Sequence, residues 1–280
     1  MRNFIDALNS RVLLTDGDLK SSLREASIDL KRATFGNEDC LAALNISRPD
    51  LVTAAHKDFL EAGADVIRTH TKEASLDALA KFNMQDEAFI INHLAAEAAC
   101  LAVDSIPGGD RRRFVLGVAD QSSATGTDNE LRYGAYIQVQ GLVSGGVDAL
   151  TFKPVADLEK ARAQLASARQ ALLELGSSVP LLLDYSEDLD FTDDTVGDLV
   201  DGVCYVENGD TIKAGFPVYQ VGQKILVHGG RSPRETAQLD QALRKKAADG
   251  YRPVTRPNVS PREATVPVSS WNDYSAVANS

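Results

Sequence analysis

The stretch Asn45–Thr71, NISRPDLVTAAHKDFLEAGADVIRTHT, decides the reading of the fold. Asn45–Ser47 reads as a loop. Pro49–Ala62 reads as an amphipathic helix, with Pro in its first turn and Gly63 just past its end. Asp65–Thr69 follows as a short buried strand that runs out into hydroxyl and imidazole side chains. A strand buried on both faces suits a parallel sheet covered on both sides by helices.

Outward from this unit the same alternation recurs. Further strands are expected at Val12–Thr15, Phe114–Ala119, Ala149–Lys153, Pro180–Tyr185, Gly202–Val206, Pro217–Val221 and Lys224–His228. Helices are expected at Glu87–Ser105, Glu130–Ser144, Asp157–Leu175 and Pro233–Ala248, with glycines as stops. Eight strands alternating with helices make the chain α/β, with a (β/α)8 TIM-type barrel as the leading architecture. A doubly wound open sheet is second. No GxGxxG follows the first strand, so a dinucleotide fold lacks its fingerprint.

The alternation fails late in the chain. Only 17 residues separate Val206 from Lys224, and they must contain the seventh strand. The helices around strands 6–8 are therefore missing or shortened. Strands this close pair antiparallel. Either a barrel lacks its sixth and seventh helices, or its last strands form a hairpin on an incomplete ring. The apolar residues Val203, Val206, Val218, Tyr219, Ile225 and Val227 would then need another cover, which favours an oligomer. Residues 1–250 form a single barrel domain. Residues 251–280, with four Pro and many Ser, Thr and Asn, read as a surface arm or a partly disordered tail anchored by Trp271 and Tyr274.

Composition narrows the function classes. The 280 residues carry a net charge of −11, which argues against nucleic acid as a partner. The basic run Arg111–Arg113 reads as the solvated start of a strand. No apolar run approaches the roughly 20 residues of a membrane span, and the N-terminus MRNFIDALNSR has no signal-peptide pattern. A cytoplasmic location follows as the expectation. The three cysteines, Cys40, Cys100 and Cys204, form no CxxC pair and read as free thiols in a reducing compartment, Cys100 within a helix core.

In a barrel the working residues sit at the C-terminal ends of strands. Those ends contribute Asp16, Thr69, His70, Lys72, Asp120, Lys153, Asp184, Glu207, His228 and Arg231 as a candidate pocket. Polar strand ends also occur simply because loops begin there. Lys153 at such an end has the chemistry of a Schiff-base lysine. His70 and His228 have that of an acid/base pair across the mouth, or of structural histidines. The acidic run Glu187, Asp188, Asp190, Asp193 and Asp194 has cation-binding chemistry but lacks the turn glycine of a calcium loop, and reads as solvated.

The motifs RPD (48–50), EAGAD (61–65) and GGVD (145–148), in that order, resemble the homocysteine S-methyltransferase family. LLTDG (13–17), FVLGVAD (114–120) and ILVHGG (225–230) extend the likeness from Val12 to Thr236. The resemblance implies a barrel and thiol methylation at a zinc ion held by three cysteines, one after strand six and two after the double glycine that follows strand eight. At those positions this chain has Glu207, Arg231 and Ser232. Cys204 comes three residues too early and falls inside a strand. Lys153 stands where the family places a glutamate for the substrate ammonium, and favours a carboxylate or phosphate. The expectation is a barrel without zinc and with no directly bound cofactor. It would be a non-catalytic or accessory subunit of methyl-transfer metabolism, in a homo-oligomer or with a methyltransferase or corrinoid protein. The alternative is an active methyltransferase for a small thiol or amine that works without the usual zinc.

Overall fold

The computed structural model describes residues 4–107, 111–185, 199–206, 218–221, 224–227 and 232–248. Eight strands form one sheet: β1 (Leu13–Leu14), β2 (Val66–Arg68), β3 (Phe114–Asp120), β4 (Ala149–Lys153), β5 (Leu181–Tyr185), β6 (Gly202–Val206), β7 (Val218–Val221) and β8 (Lys224–Val227). Neighbouring strands pair in chain order from β2 to β8, and β8 pairs parallel with β1. A parallel bridge between Thr15 and Val66 closes the ring, with Asp16 N–H donating to Val66 O at 2.8 Å. The architecture is a closed TIM-type barrel.

The last quarter departs from simple repetition. β7 runs antiparallel to both β6 and β8. Only two residues, Gly222 and Gln223, link β7 to β8. The hairpin expected from the spacing is present, but the ring it belongs to is complete. Two reversals restore the original direction, so β8 meets β1 in parallel. The two-residue link leaves no chain for a covering helix between β7 and β8.

The helices are α1 (Phe4–Ser10), α2 (Leu19–Arg24), α3 (Leu30–Ala33), α4 (Leu44–Ser47), α5 (Pro49–Glu61), α6 (Leu76–Ala80), α7 (Ala88–Ser105), α8 (Asp128–Ser144), α9 (Leu158–Glu174) and α10 (Pro233–Ala248). Local chemistry sets many of their ends. Thr127 and Glu130 form a reciprocal capping box at α8, and Asp157 caps α9. Gly63 takes φ 109° just past α5, a conformation that other residues rarely adopt. Asn45–Ser47 is not the expected loop but part of α4. Leu41–Leu44 are almost fully buried, and Asn45 Nδ2 donates to Ala42 O and His70 O, both at 3.0 Å.

Two apolar layers result from strand alternation. Ile67, Val115, Leu150, Phe152, Leu181 and Leu183 face outward and pack under the helices. α7 touches three core clusters, through Ala96 and Ala99, Ala98, and Ile91. Gln85–Ser105 has the length and hydropathy of a membrane span, and half of it is buried within the barrel's outer layer. The inner layer comprises Leu13, Val66, Phe114, Leu116, Ala149 and Leu182. α1 plugs it from below: Phe4 stacks edge-on against Phe114, with ring centroids 5.5 Å apart. The plug is encoded by Phe4 and Leu8, one helical turn apart.

The basic run before β3 is not simply solvated. Asp65, 1% exposed, accepts from Arg11 and from Arg111 Nη2 at 2.9 Å, and Arg111 also binds Asp240 of α10 at 2.6 Å. The burial of Asp65 draws these guanidinium groups in, because a carboxylate removed from water needs charged partners.

Candidate functional site: the barrel mouth

On β2, β3, β4 and β5 the inward face turns from apolar to charged at the C-terminal end. On β5, Leu182 faces the interior, so Asp184 two residues on shares that face. The same step leads from Ala149 through Thr151 to Lys153, from Phe114 and Leu116 to Asp120, and from Val66 to Arg68. Asp120 lies in register with Lys153. The pairing of Phe152 with Leu183 places Lys153 next to Asp184 on its other side. The mouth therefore carries Arg68, Asp120, Lys153 and Asp184 around one rim, with Lys72 close enough to act electrostatically on Asp184.

Burial pushes the Asp184 carboxyl up to about 6, Lys153 opposes this, and the neighbouring Asp120 charge adds to it. Lys153 thus stands on its strand between Asp120 and Asp184.

Several candidate residues belong to the supporting structure instead. Asp16 is out of phase with the inward-facing Leu13 and is fully buried behind the rim. It accepts from Arg68 N and Nε at 3.0 and 2.8 Å, and His56 Nδ1 of α5 lies 3.9 Å away. Burial raises the Asp16 carboxyl, while Arg68 pulls in the opposite direction. Thr69 and Thr71 stitch β2 to β3: their hydroxyls share a 2.6 Å hydrogen bond, Thr71 Oγ1 donates to Val118 O, and Val118 N–H donates to Thr69 Oγ1. His70 is half-buried near His56, with its Nε2 shut off from solvent and unpartnered among the described residues. Burial holds His56 down to about 3 and His70 down to about 4. Both rings are neutral at pH 7. Glu207, His228, Arg231, the run Glu187–Asp194 and the tail 251–280 lie outside the described residues.

Arg68 was not among the residues singled out from sequence. Its signal was an arginine at the end of the apolar strand VIR, in phase with Val66.

The thiols are dispersed. Cys40 is buried in a satellite core, 3.9 Å from Met84 Sδ. Cys100 Sγ sits 3.3 Å from Gly146 O, before β4 begins, at the end of the barrel opposite the mouth. Cys204 occupies the middle of β6, in register with Asp184 and Val221. The Ser232 hydroxyl accepts from Glu235 N at 3.3 Å and so caps α10.

Comparison with known proteins agrees with this architecture. Methionine synthase of Mycobacterium tuberculosis is 28% identical over 184 residues, 64% of this chain. That of Mycobacterium leprae is 27% identical over 186 residues, 65% of this chain. The chain spans 15% of the length of either relative. Among solved structures, homocysteine methyltransferase MmuM from Escherichia coli superposes with a TM-score of 0.62 in its oxidized form and 0.58 in its metallated form. Both alignments are 14% identical and cover 86% of this chain and 100% of that one, a likeness that speaks to the fold alone. The profile of the homocysteine S-methyltransferase family matches residues 13–212, well over half of the sequence, and the chain belongs to that family.

Proposed function

We propose that this chain is a homocysteine S-methyltransferase-like barrel without the zinc–thiolate centre, serving as a non-catalytic or accessory subunit in methyl-transfer metabolism of the cytoplasm. The observation that carries this reading is the dispersal of its three cysteines. A thiolate zinc site needs its sulfurs to converge at about 2.3 Å from one ion. Cys100 lies at the far end of the barrel, Cys40 is packed against Met84, and Cys204 is set within a strand. The capping bond of Ser232 gives that position a structural use in place of a ligand. This donor set does not fit the metal of the family. Elemental analysis after mild purification is the test. The expected result is no stoichiometric zinc; about one zinc per chain would overturn the reading.

The accessory role has a second support. No helix fits in the connection between β7 and β8, so this sector of the barrel wall needs a cover from elsewhere. The proposed cover is a second copy or a methyltransferase or corrinoid protein. Light scattering at low micromolar concentration should give a mass above that of one chain, or a stable complex with such a protein. A monomer that stays stable without residues 251–280 would count against it.

One observation favours an active enzyme instead: Asp120, Lys153 and Asp184 form a charged rim at the barrel mouth. In that reading the chain methylates a small thiol or amine without zinc. Methyl transfer to such an acceptor by the zinc-free protein, abolished in Asp184→Asn, would establish it.

A further inference from the structure

Next to the mouth, a cleft of about 420 Å³ opens between α2, the loop after β2, α6 and the loop after β3. Its volume falls in the range of small-molecule sites. It borders the mouth, since Asp120 stands on the rim and Lys72 acts on Asp184.

The charge of the cleft runs against that of the molecule. The chain as a whole carries −11, yet four cations line this cleft against three carboxylates. Two of the carboxylates are paired with cations, and the third is hydrogen-bonded. Glu73 pairs with Lys20, and Asp39 lies 3.5 Å from Arg24. Asp120 accepts from the backbone N–H and the hydroxyl of Ser122, at 3.0 and 2.6 Å. Lys72 and Lys81 remain, with no hydrogen-bond or ion-pair partner among the described residues. They come from different segments, the β2 loop and the end of α6, and line the same space. Two ammonium groups without an ion-pair partner in a concave site focus positive potential into it. Half-buried Phe82 supplies an apolar wall beside them.

We propose that this cleft binds the anionic group of a small metabolite, a phosphate or a carboxylate, with Lys72 and Lys81 as its charge partners and Phe82 against its carbon skeleton. Ammonium groups act as point charges without a preferred planar geometry, so they accept either anion. The proposal holds whether or not the barrel catalyses a reaction, and it does not depend on zinc.

Calorimetric titration of the full chain at low ionic strength tests it, with inorganic pyrophosphate in one arm and succinate in the other. Saturable binding of one ion per chain is expected in at least one arm, and the stronger arm identifies the anion. The Lys72→Ala/Lys81→Ala double variant should bind at least about tenfold more weakly. Both lysines are exposed, so the variant should melt like the parent. Lys57→Ala, on α5 and outside the cleft, should bind as the parent does. Absence of saturable binding in both arms overturns the proposal. So does unchanged affinity in the double variant, or an equal loss in Lys57→Ala.

Discussion

Arg68 grips Asp16 twice, through Nε at 2.8 Å from Oδ1 and through its own backbone N–H at 3.0 Å from Oδ2. It also donates to Gly17 O at 2.8 Å. One residue thereby ties the loop after β1 to β2 at the seam where the barrel ring closes. Breaking a buried charged pair by removing one partner typically costs about 3–5 kcal/mol, because the other charge is left uncompensated. Arg68→Ala should approach that loss, since Asp16 is fully buried. Asp16→Ala should cost less, because the side chain of Arg68 is 22% exposed and can turn to water. Chemical denaturation of both single variants and the double variant is the check. Additive losses would mean that the pair is not coupled.

His56 and His70 make the fold acid-sensitive. Their folded values, about 3 for His56 and about 4 for His70, lie below the ordinary 6.5. As pH falls, the unfolded chain takes up these protons first. The stability the neutral rings contribute is therefore complete above about pH 6.5 and lost progressively below it. The urea midpoint should fall between pH 6.5 and 5, and His56→Leu should flatten that fall. An unchanged slope in the variant would assign the acid sensitivity to other groups.

Asp184 acts with the opposite sign. Its folded value, about 6, lies above the ordinary 3.8, so the folded state holds the proton more tightly. Stability is lost as pH rises from about 4 through about 6, then levels off. Asp184→Asn should accordingly stabilise the protein at pH 8, by a quantity of order 2 kcal/mol, and should change little at pH 3.5. Thermal melts at the two pH values separate this from a packing effect, which would appear at both.

Gly141 and Gly145 let α8 lie directly on α7. A Cβ at Gly145 would sit 2.4 Å from His93 O, and one at Gly141 would sit 2.7 Å from Phe89 O. Both obstacles are backbone atoms that cannot turn aside. Gly145→Ala should cost about 1–3 kcal/mol through overpacking. The exposed neighbour Ser144→Ala should stay within about 0.5 kcal/mol of the parent. Equal stability of the two variants would show that α8 can shift on α7 without penalty.

Much of the site was legible in the residue order. Lys153, Asp120 and Asp184 stand in phase with Ala149, Leu116 and Leu182, and that phase alone turns them into the barrel. Arg68 obeyed the same rule but was concealed by the apolar reading of its strand. Asp16, Thr69 and His70 were equally polar and equally close to strand ends, yet they serve the wall behind the mouth. Nothing local distinguishes a polar group that faces the mouth from one that faces a buried helix such as α5.

The sequence by itself determined the eight strands, the long helices α5, α7, α8, α9 and α10 with their glycine stops, and the close succession of β7 and β8, because these depend on side-chain period and on the length of a connection; the short helices α1–α4 and α6 carry too few periodic residues to be read. Only the tertiary structure decided that the ring closes. β8 finds β1 across nearly the whole chain, Leu226 opposite Leu13, a pairing that no local pattern specifies. The same closure decides the fate of charged residues. Once Phe4 and Leu8 fill the lower barrel and His56 lies over Asp16, each charge must either reach the open mouth or find a partner within the wall. That choice follows from which positions water can still reach, and solvent access is settled only when distant segments pack together.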